Sequence, residues 1–378
     1  MSRWKLTAAL ATLALGAAFV AQQLLPAAGG SVEPPPPVVV DDPTPGPRDV
    51  DIVLCLDTSG SMDQLIDSAR ARLWEVVGEV AEVEPEANLR VGLLSFGSPL
   101  ADGHLNGHVV LQTALTSDLD ALYNTMWSLS TAGGDEYVGW VLEDALKKMP
   151  WSTDDDAARL IFVAGNESAL QGNKDALTIA GNAHEQGFRI NTLYAGEQSA
   201  GVSEHWHEVA EAGGGKFTAI SMADGLVQIQ TPVDEEIRRL NEELNATYVP
   251  YGRRGAEKKR RQDVQDRNAR SLGLGSATTR TLAKGTAMYK NADWDLVDAV
   301  AEGEVELSAV PEEALPEPMQ GMDAAQREAY LADQTTKRAA IKRRLLGAKG
   351  DREAWVKDNV EEGEGLGEKM KAIVAEQL

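Results

Sequence analysis

Residues 51–62 read DIVLCLDTSGSM, and this stretch decides the fold class that we predict for the chain. The apolar run 52–56 is short and rich in β-favouring residues, which is typical of a strand buried on both faces. The run ends abruptly at Asp57, and the hydroxyls of Ser59 and Ser61 follow at two-residue spacing. A long amphipathic segment comes next. A strand that ends in clustered oxygen ligands just before a helix is suited to Mg²⁺, which prefers oxygen donors and keeps several waters.

The pattern Asp-x-Ser-x-Ser after a hydrophobic strand resembles the metal-ion-dependent adhesion site (MIDAS) of von Willebrand factor type A (VWA) domains. In that family the motif lies at the end of the first strand of a doubly wound sheet. The resemblance implies that Asp57 holds the metal mainly through water, and that Ser59 and Ser61 bind it directly. It also implies that the ion is Mg²⁺, with Mn²⁺ or Ca²⁺ as alternatives. The plainer alternative is a Ser/Gly-rich turn that caps a helix.

Two further loops complete the metal site in the VWA family. The second is often Gly-Gly-Thr before a helix, and here residues 131–136 read TAGGDE. Asp135 therefore stands where the family has Thr, with Glu136 as the alternative ligand. A role for Asp135 as N-cap of the next helix is equally compatible with the sequence.

The third loop departs from the family pattern. The family has an Asp directly after the fourth strand, whereas Gly165 falls at that position here. The expected carboxylate is missing, and Asn166 and Glu167 are the remaining candidate ligands. Fewer protein charges would make the bound ion more electrophilic towards an acidic group on a partner.

Apolar and amphipathic segments alternate from residue 50 onward. The sequence predicts strands at 50–56, 88–96, 107–113, 159–164, 189–194 and 216–220, and helices at 64–83, 118–128, 137–149, 175–186, 204–212 and 232–244. This alternation predicts an α/β fold with a doubly wound, mostly parallel sheet and helices on both faces. The second and third strands are expected to form a hairpin, which makes the third an antiparallel edge strand. Thr116 or Ser117 is the candidate N-cap of the helix at 118–128.

Residues 246–378 are predicted to be a mainly helical extension that lies against a VWA domain at 49–245. Within it, 271–285 is rich in Gly, Ser and Thr and is expected to be a loop. A long helix is predicted at 322–346, with Asp323 as its N-cap and Gly347 as its end.

A basic cluster occupies residues 253–270 of the extension. A contact with acidic groups of the same protein is its expected role, and a polyanion site is the less favoured alternative.

The N-terminus has the layout of an export signal. Arg3 and Lys5 precede the apolar stretch 6–25, and small residues follow. We therefore predict a signal peptide or uncleaved membrane anchor at 1–29, and a Pro-rich linker at 30–48. The body of the protein is expected to be exported to the periplasm or the cell exterior, with membrane contact only through this segment if it is retained.

Composition narrows the classes of function. The chain carries 59 acidic against 36 basic residues and a formal net charge of −23, which argues against nucleic-acid binding. Its single cysteine, Cys55, excludes an intramolecular disulfide and is expected to be a buried hydrophobe.

No catalytic constellation is visible in the sequence. A Rossmann fingerprint is absent from the first turn, and the five histidines fall away from the first loop, so that a serine nucleophile lacks a base. We therefore expect a non-enzymatic protein that binds a protein ligand, one that offers an acidic side chain, in a divalent-metal-dependent interaction or adhesion. The alternative is a metal-free VWA scaffold whose helical tail makes the interaction.

Overall fold

The computed structural model describes residues 46–99, 108–220, 229–360 and 366–378. These residues fall within a single compact unit that spans 45–378. The predicted signal segment and nearly all of the predicted linker lie outside the described residues.

Six strands form one sheet in the order β3-β2-β1-β4-β5-β6. They are β1 (Asp49–Asp57), β2 (Asn88–Phe96), β3 (Val110–Thr116), β4 (Ala158–Gly165), β5 (Phe188–Ala195) and β6 (Gly214–Ile220). All neighbouring strands pair in parallel except β2 and β3, which pair antiparallel. The predicted fold class is therefore confirmed, including the antiparallel edge strand. Because the strand order reverses between β1 and β4, their carboxyl ends open a crevice of the kind in which α/β sheets bind ligands.

Helices cover both faces of the sheet. Those that precede residue 246 are α1 (Asp63–Val83), α2 (Leu119–Ser128), α3 (Val138–Lys148), α4 (Ala176–Glu185), α5 (Gln198–Ser203), α6 (Trp206–Ala212) and α7 (Asp234–Asn245). Those that follow are α8 (Gly252–Leu272), α9 (Leu274–Lys284), α10 (Leu296–Ala301), α11 (Ala324–Asn359) and α12 (Leu366–Gln377). Among the described residues, no helix has both the length and the apolar character needed to cross a membrane.

Strand β1 is buried on both faces, as its apolar run predicts. Ile52 and Leu54 belong to the core beneath α1, whereas Val53 and Cys55 belong to the core beneath α3 and α4. Complete burial of Cys55 raises the pKa of its thiol, so this side chain is an unreactive core residue, as expected.

The C-terminal helices share a core with the sheet. Helices α9 and α12 both pack against α1, and α12 also contacts β6. Apolar side chains such as Met288, Leu345 and Val374 therefore belong to the same buried cluster as Ile52. The elements before residue 246 leave part of one face of the sheet uncovered, and the C-terminal helices bury that part.

The prediction of a loop at 271–285 is wrong, because α9 occupies most of this range. Its polar residues Thr278, Arg280 and Lys284 are buried, and Arg280 and Lys284 donate hydrogen bonds to Asp120 on α2 and Asn241 on α7. Tertiary packing thus outweighs a composition of low helix propensity.

The predicted end of the long helix at Gly347 is also wrong. Helix α11 continues through two glycines to Asn359, although a glycine inside a helix costs about 1 kcal/mol relative to alanine. Lys349 pairs with Glu82 on α1 at 2.5 Å, and Arg352 with Asp234 on α7 at 2.9 Å. These two ion pairs hold the last turns of α11 against α1 and α7, which offsets the free-energy cost of the glycines. The predicted N-cap at its start is confirmed, since Asp323 and Gln326 form a capping box.

Two local predictions need correction as well. The N-cap of α2 is Asp118, whose carboxylate accepts from the Ala121 N–H, rather than Thr116 or Ser117. The helix predicted at 204–212 is found as α6, which begins two residues later, and a short helix that was not predicted, α5, precedes it; His205 between them has a φ of 66°.

Candidate metal centre

Strand β1 delivers Asp57 to the carboxyl edge of the sheet, where its side chain is fully buried. The Ser59 backbone N–H donates to Asp57 Oδ1 at 2.7 Å, and the Ser59 hydroxyl donates to Oδ2 at 3.1 Å. This is the local side-chain turn that Asp favours, and it fixes the orientation of the carboxylate. Ser61 lies two residues further on and is exposed. The first loop therefore reaches from a buried carboxylate to a solvent-accessible hydroxyl.

The second loop brings another carboxylate to the same place. The Ala132 N–H donates to the Thr58 carbonyl at 3.0 Å, which joins the second loop to the first. Glu136 is 3% exposed, and its carboxyl lies within hydrogen-bonding reach of the Asp57 carboxyl. Its Oε2 is buried and has no hydrogen-bond partner. The site thus holds two neighbouring buried carboxyls and one unsatisfied acceptor.

Electrostatics at this pair favour a neutralising group. Burial and the adjacent Glu136 carboxyl raise the pKa of Asp57 to about 9, against the smaller opposing effect of the Ser59 hydrogen bonds. Two buried carboxyls cannot both be charged at low cost unless a proton or a cation lies between them. A cation that holds both oxygens would remove this penalty.

Asp135 lies apart from this pair. It is exposed, and its Oδ2 accepts from the Tyr137 hydroxyl at 3.0 Å. The capping role considered for Asp135 is wrong, since α3 has Tyr137 at its N-cap and no side-chain cap. Of the two candidates on this loop, the structure brings Glu136 rather than Asp135 against Asp57.

In the third loop, the space beside Gly165 is too small for a carboxylate side chain. A Cβ atom built on Gly165 would lie 3.0 and 3.2 Å from the Trp206 ring and 3.4 Å from Asp57 Cβ. The indole is 1% exposed, and its Nε1 donates to the Glu167 carbonyl at 2.6 Å. An aromatic ring therefore fills the space next to the position where the family has its Asp.

The remaining third-loop candidates differ in placement. Asn166 Nδ2 donates to Ser61 Oγ at 3.0 Å, and Asn166 Oδ1 is buried with no hydrogen-bond partner. Glu167 is exposed, and its carboxylate accepts from the Gln171 amide of the same loop. Asn166 therefore joins the first and third loops, whereas Glu167 binds within its own loop.

Sequence reasoning missed a fourth segment of the site, directly after β2. Gly97 has a φ of 81°, and a Cβ there would lie 2.5 Å from Asp57 Oδ1 and 3.3 Å from Glu136 Cγ. Only glycine fits against the two carboxyls, because the left-handed conformation and the close approach both exclude a side chain. The neighbouring Ser98 hydroxyl is buried with no hydrogen-bond partner. A glycine at the end of a buried strand is the sequence signal that identifies this segment.

The residues present fit a hard cation. Across the described ranges, no three His, Cys, Asp or Glu side chains come together as a metal-binding group. The donors at this edge are instead two carboxylates with hydroxyl and amide oxygens, a mixed set that suits Mg²⁺ or Ca²⁺ better than Zn²⁺. The residues that could hold the ion are Asp57, Ser59, Ser61, Glu136 and Asn166.

Solved structures with a similar fold were found. No known family profile and no curated protein matches the chain. Its structural neighbours are VWA domain proteins.

Three neighbours illustrate the likeness. BatB from Bacteroides thetaiotaomicron is 18% identical, with 46% of this chain and 90% of that chain covered and a TM-score of 0.36. A von Willebrand factor type A protein from Catenulispora acidiphila is 16% identical, with 47% and 40% covered and a TM-score of 0.35. The mussel byssus protein PTMP1, solved with a zinc-occupied MIDAS motif, is 14% identical, with 47% and 43% covered and a TM-score of 0.35. The fold assignment rests on the strand order and pairing of this chain itself.

Proposed function

We propose that this protein is an exported VWA-type binding protein that captures a protein ligand through a divalent cation. The cation would be Mg²⁺, with Mn²⁺ or Ca²⁺ as alternatives, held by Asp57 and Glu136. The observation that carries the proposal is the pair of adjacent buried carboxyls at the carboxyl edge of β1, with Glu136 Oε2 and Asn166 Oδ1 unsatisfied beside it. Such orphaned buried acceptors are costly without a partner, and a cation would supply one.

The charge of the site supports a role in binding an acidic group. Asp57 and Glu136 together balance a divalent ion, and Gly165 adds no third carboxylate. A bound cation would supply electrostatic attraction for one further anionic oxygen, such as a carboxylate offered by a partner protein. Ser61, Gly133 and Asp135 are exposed at the rim, so a partner side chain has access from solvent.

A binding function also agrees with what surrounds the site. The described histidines lie outside the first loop, and two of them contact other side chains: His184 lies 2.8 Å from Arg189, and His205 lies 3.2 Å from Glu208. Within the described part of the chain, the Ser59 hydroxyl donates to the Asp57 carboxylate and the Ser61 hydroxyl accepts from the Asn166 amide, which are not the imidazole contacts of a serine nucleophile. Export is proposed from the basic and apolar layout of residues 1–29.

One observation favours the alternative of a metal-free scaffold. Trp206 occupies the space that a third-loop carboxylate would need, and a buried carboxyl pair can share a proton instead of binding an ion. In that case the C-terminal helices would make the interaction.

Calorimetric titration of Mg²⁺, Mn²⁺ and Ca²⁺ into the full chain tests the proposal. We expect a saturable heat with the native protein and none with Asp57→Asn. Asp155→Asn is the matched control, because Asp155 is an exposed carboxylate in the loop before β4, at the opposite edge of the sheet. Absence of binding by the native protein would establish the metal-free alternative, and equal binding by Asp57→Asn would show that the ion is held at a site other than the one proposed.

A further inference from the structure

Helix α8 carries a row of exposed arginines, and no acidic side chain of the described residues pairs with them. Its exposed arginines take part in no ion pair or hydrogen bond with the described residues. They are Arg253, Arg254, Arg260, Arg267 and Arg270. Two acidic side chains of this helix, Glu257 and Asp263, are also accessible to solvent, and Asp263 pairs with Lys259 at 2.6 Å. In a chain of net charge −23, this is a concentrated patch of unpaired positive charge.

The row is regular. Arg253, Arg260 and Arg267 follow each other at seven-residue spacing, so they lie on one side of the helix about 10 Å apart. Other cations of α8 face the protein: Lys258 binds Asp118 at 3.1 Å, and Arg261 binds the same carboxylate at 2.5 Å. The acidic contact expected for the basic cluster is therefore made by three of its members, since Lys259 also pairs with Asp263 at 2.6 Å. The exposed arginine side chains are therefore available to bind a partner outside this protein.

The position of α8 relative to the sheet is set by the same contacts. Asp118 follows β3, whose Thr116 pairs with Val91, and Val91 lies level with Ile52 in the first half of β1. The Gln265 amide donates to Asn124 on α2 at 3.0 Å, so α8 rises alongside α2 from that edge. The first arginines of α8 thus lie at the edge where β1 begins and where residues 1–48 join the fold. The carboxyl pair lies at the opposite edge, about 30 Å away along β1.

We infer that this arginine row binds the anionic headgroups of a phospholipid bilayer. Guanidinium groups bind phosphate oxygens with two parallel hydrogen bonds, and each cation near an anionic bilayer contributes to attraction. The overall negative charge of the protein does not prevent this, because charges further than about 10 Å from the surface are screened at ordinary salt. The apolar segment 6–25 and the Pro-rich stretch 30–48, interpreted above as a signal or anchor and a linker, precede the domain in the sequence.

The same features disfavour nucleic acid as the occupant. Helix α8 has no aromatic residue on which bases could stack, and a long polyanion would meet the acidic remainder of the protein as well as the row. A flat bilayer contacts one side of the molecule only.

A site-specific fluorophore on α8 tests the inference in the full chain. Ala256 is exposed, and the native Cys55 is buried, so Ala256→Cys accepts a single label. The labelled protein is added to vesicles that contain a quencher lipid, made either of phosphatidylglycerol with phosphatidylcholine or of phosphatidylcholine alone. We expect stronger quenching of the label in the anionic vesicles than in phosphatidylcholine alone, and loss of that difference in about 0.5 M salt. Any contribution of residues 6–25 is present in both lipids and does not produce this difference.

The variant R253Q/R260Q/R267Q is expected to weaken the contact about a hundredfold. The matched control is K337Q/R343Q/K357Q, which removes three exposed cations from α11 and should leave quenching intact. A label at Ser199→Cys on α5, at the carboxyl edge, should remain unquenched. Equal quenching in both lipids, an equal loss in the α11 variant, or an equal response of the α8 label to a DNA duplex at matched phosphate concentration would overturn the inference.

Discussion

The carboxyl of Glu136 lies within hydrogen-bonding reach of the carboxyl of Asp57, and both are buried where β1 ends. Gly97 leaves room for the two side chains to lie together, since any side chain at that position would collide with Asp57 Oδ1. The second loop of this protein therefore contributes the carboxylate that lies closest to the first loop.

Glu136→Gln should weaken metal binding strongly, whereas Asp135→Asn should leave it nearly unchanged. The two residues are adjacent in sequence, but Glu136 is buried beside Asp57 and Asp135 is exposed beside Tyr137. Loss of a charged ligand of this kind is expected to cost a factor of about 10–100 or more in affinity. Calorimetry with Mg²⁺ on both variants measures the contrast. Equal effects of the two changes would show that Glu136 is not a ligand.

When a chelator removes divalent cations, the free energy of unfolding of the protein should decrease as the pH rises. The folded-state pKa of Asp57, about 9, lies above its ordinary value of 3.8, so the folded state binds the extra proton between these values. This contribution to stability is complete below about pH 4 and is lost as the pH rises through 9. Urea unfolding at about pH 6 and pH 9 measures the change.

Glu136→Gln provides the comparison for this pH effect. The substitution removes the neighbouring negative charge, so the pKa of Asp57 should fall and the pH dependence should become shallower. Other titrating groups contribute alike to both proteins. The same slope in the native protein and the variant would show that the two carboxyls are not coupled.

Gly165→Ala should destabilise the protein by about 1–3 kcal/mol, because a Cβ there would lie 3.0 Å from the Trp206 ring. Gly165→Asp, which restores the family carboxylate, should be at least as destabilising and should not strengthen metal binding. Gly133→Ala is the control, since it has no neighbour within 4 Å of the added carbon. Urea midpoints of the three variants test this, and an unchanged midpoint for Gly165→Ala would contradict the packing argument.

Arg280→Met should destabilise the protein by about 3–5 kcal/mol, since it leaves two buried carboxylates without their common partner. The guanidinium is 1% exposed, pairs with Asp120 at 2.8 Å and Asp266 at 2.7 Å, and lies 4.5 Å from the Trp74 ring centroid. It therefore joins α9 to α2 and α1. The exposed Arg238→Ala, which breaks pairs on the surface of α7, should change the stability little, because solvent screens exposed ion pairs. A loss of similar size in both variants would contradict a structural role of the buried network.

Much of the sheet could be predicted from local pattern. Continuous apolar runs predict strands buried on both faces, and β1, β2, β4 and β5 follow this rule closely. The C-terminal region was harder to predict, because α9 and the last turns of α11 depend on contacts with distant segments. Lys284, for example, is fully buried and donates to Asn241, Asn245 and Asp266 on two other helices. No short window of sequence contains those partners.

The sequence by itself determined the order of the six strands, the position of Asp57 at the end of a buried strand, and the absence of a carboxylate at residue 165. These features depend on hydrophobic periodicity and residue type, which are local properties. Only the tertiary structure decided that Glu136 rather than Asp135 lies against Asp57, and that Gly97 and Trp206 enclose the pair. Adjacent residues in a loop can point in opposite directions, and which of them is buried depends on how separate loops pack at one edge of the sheet.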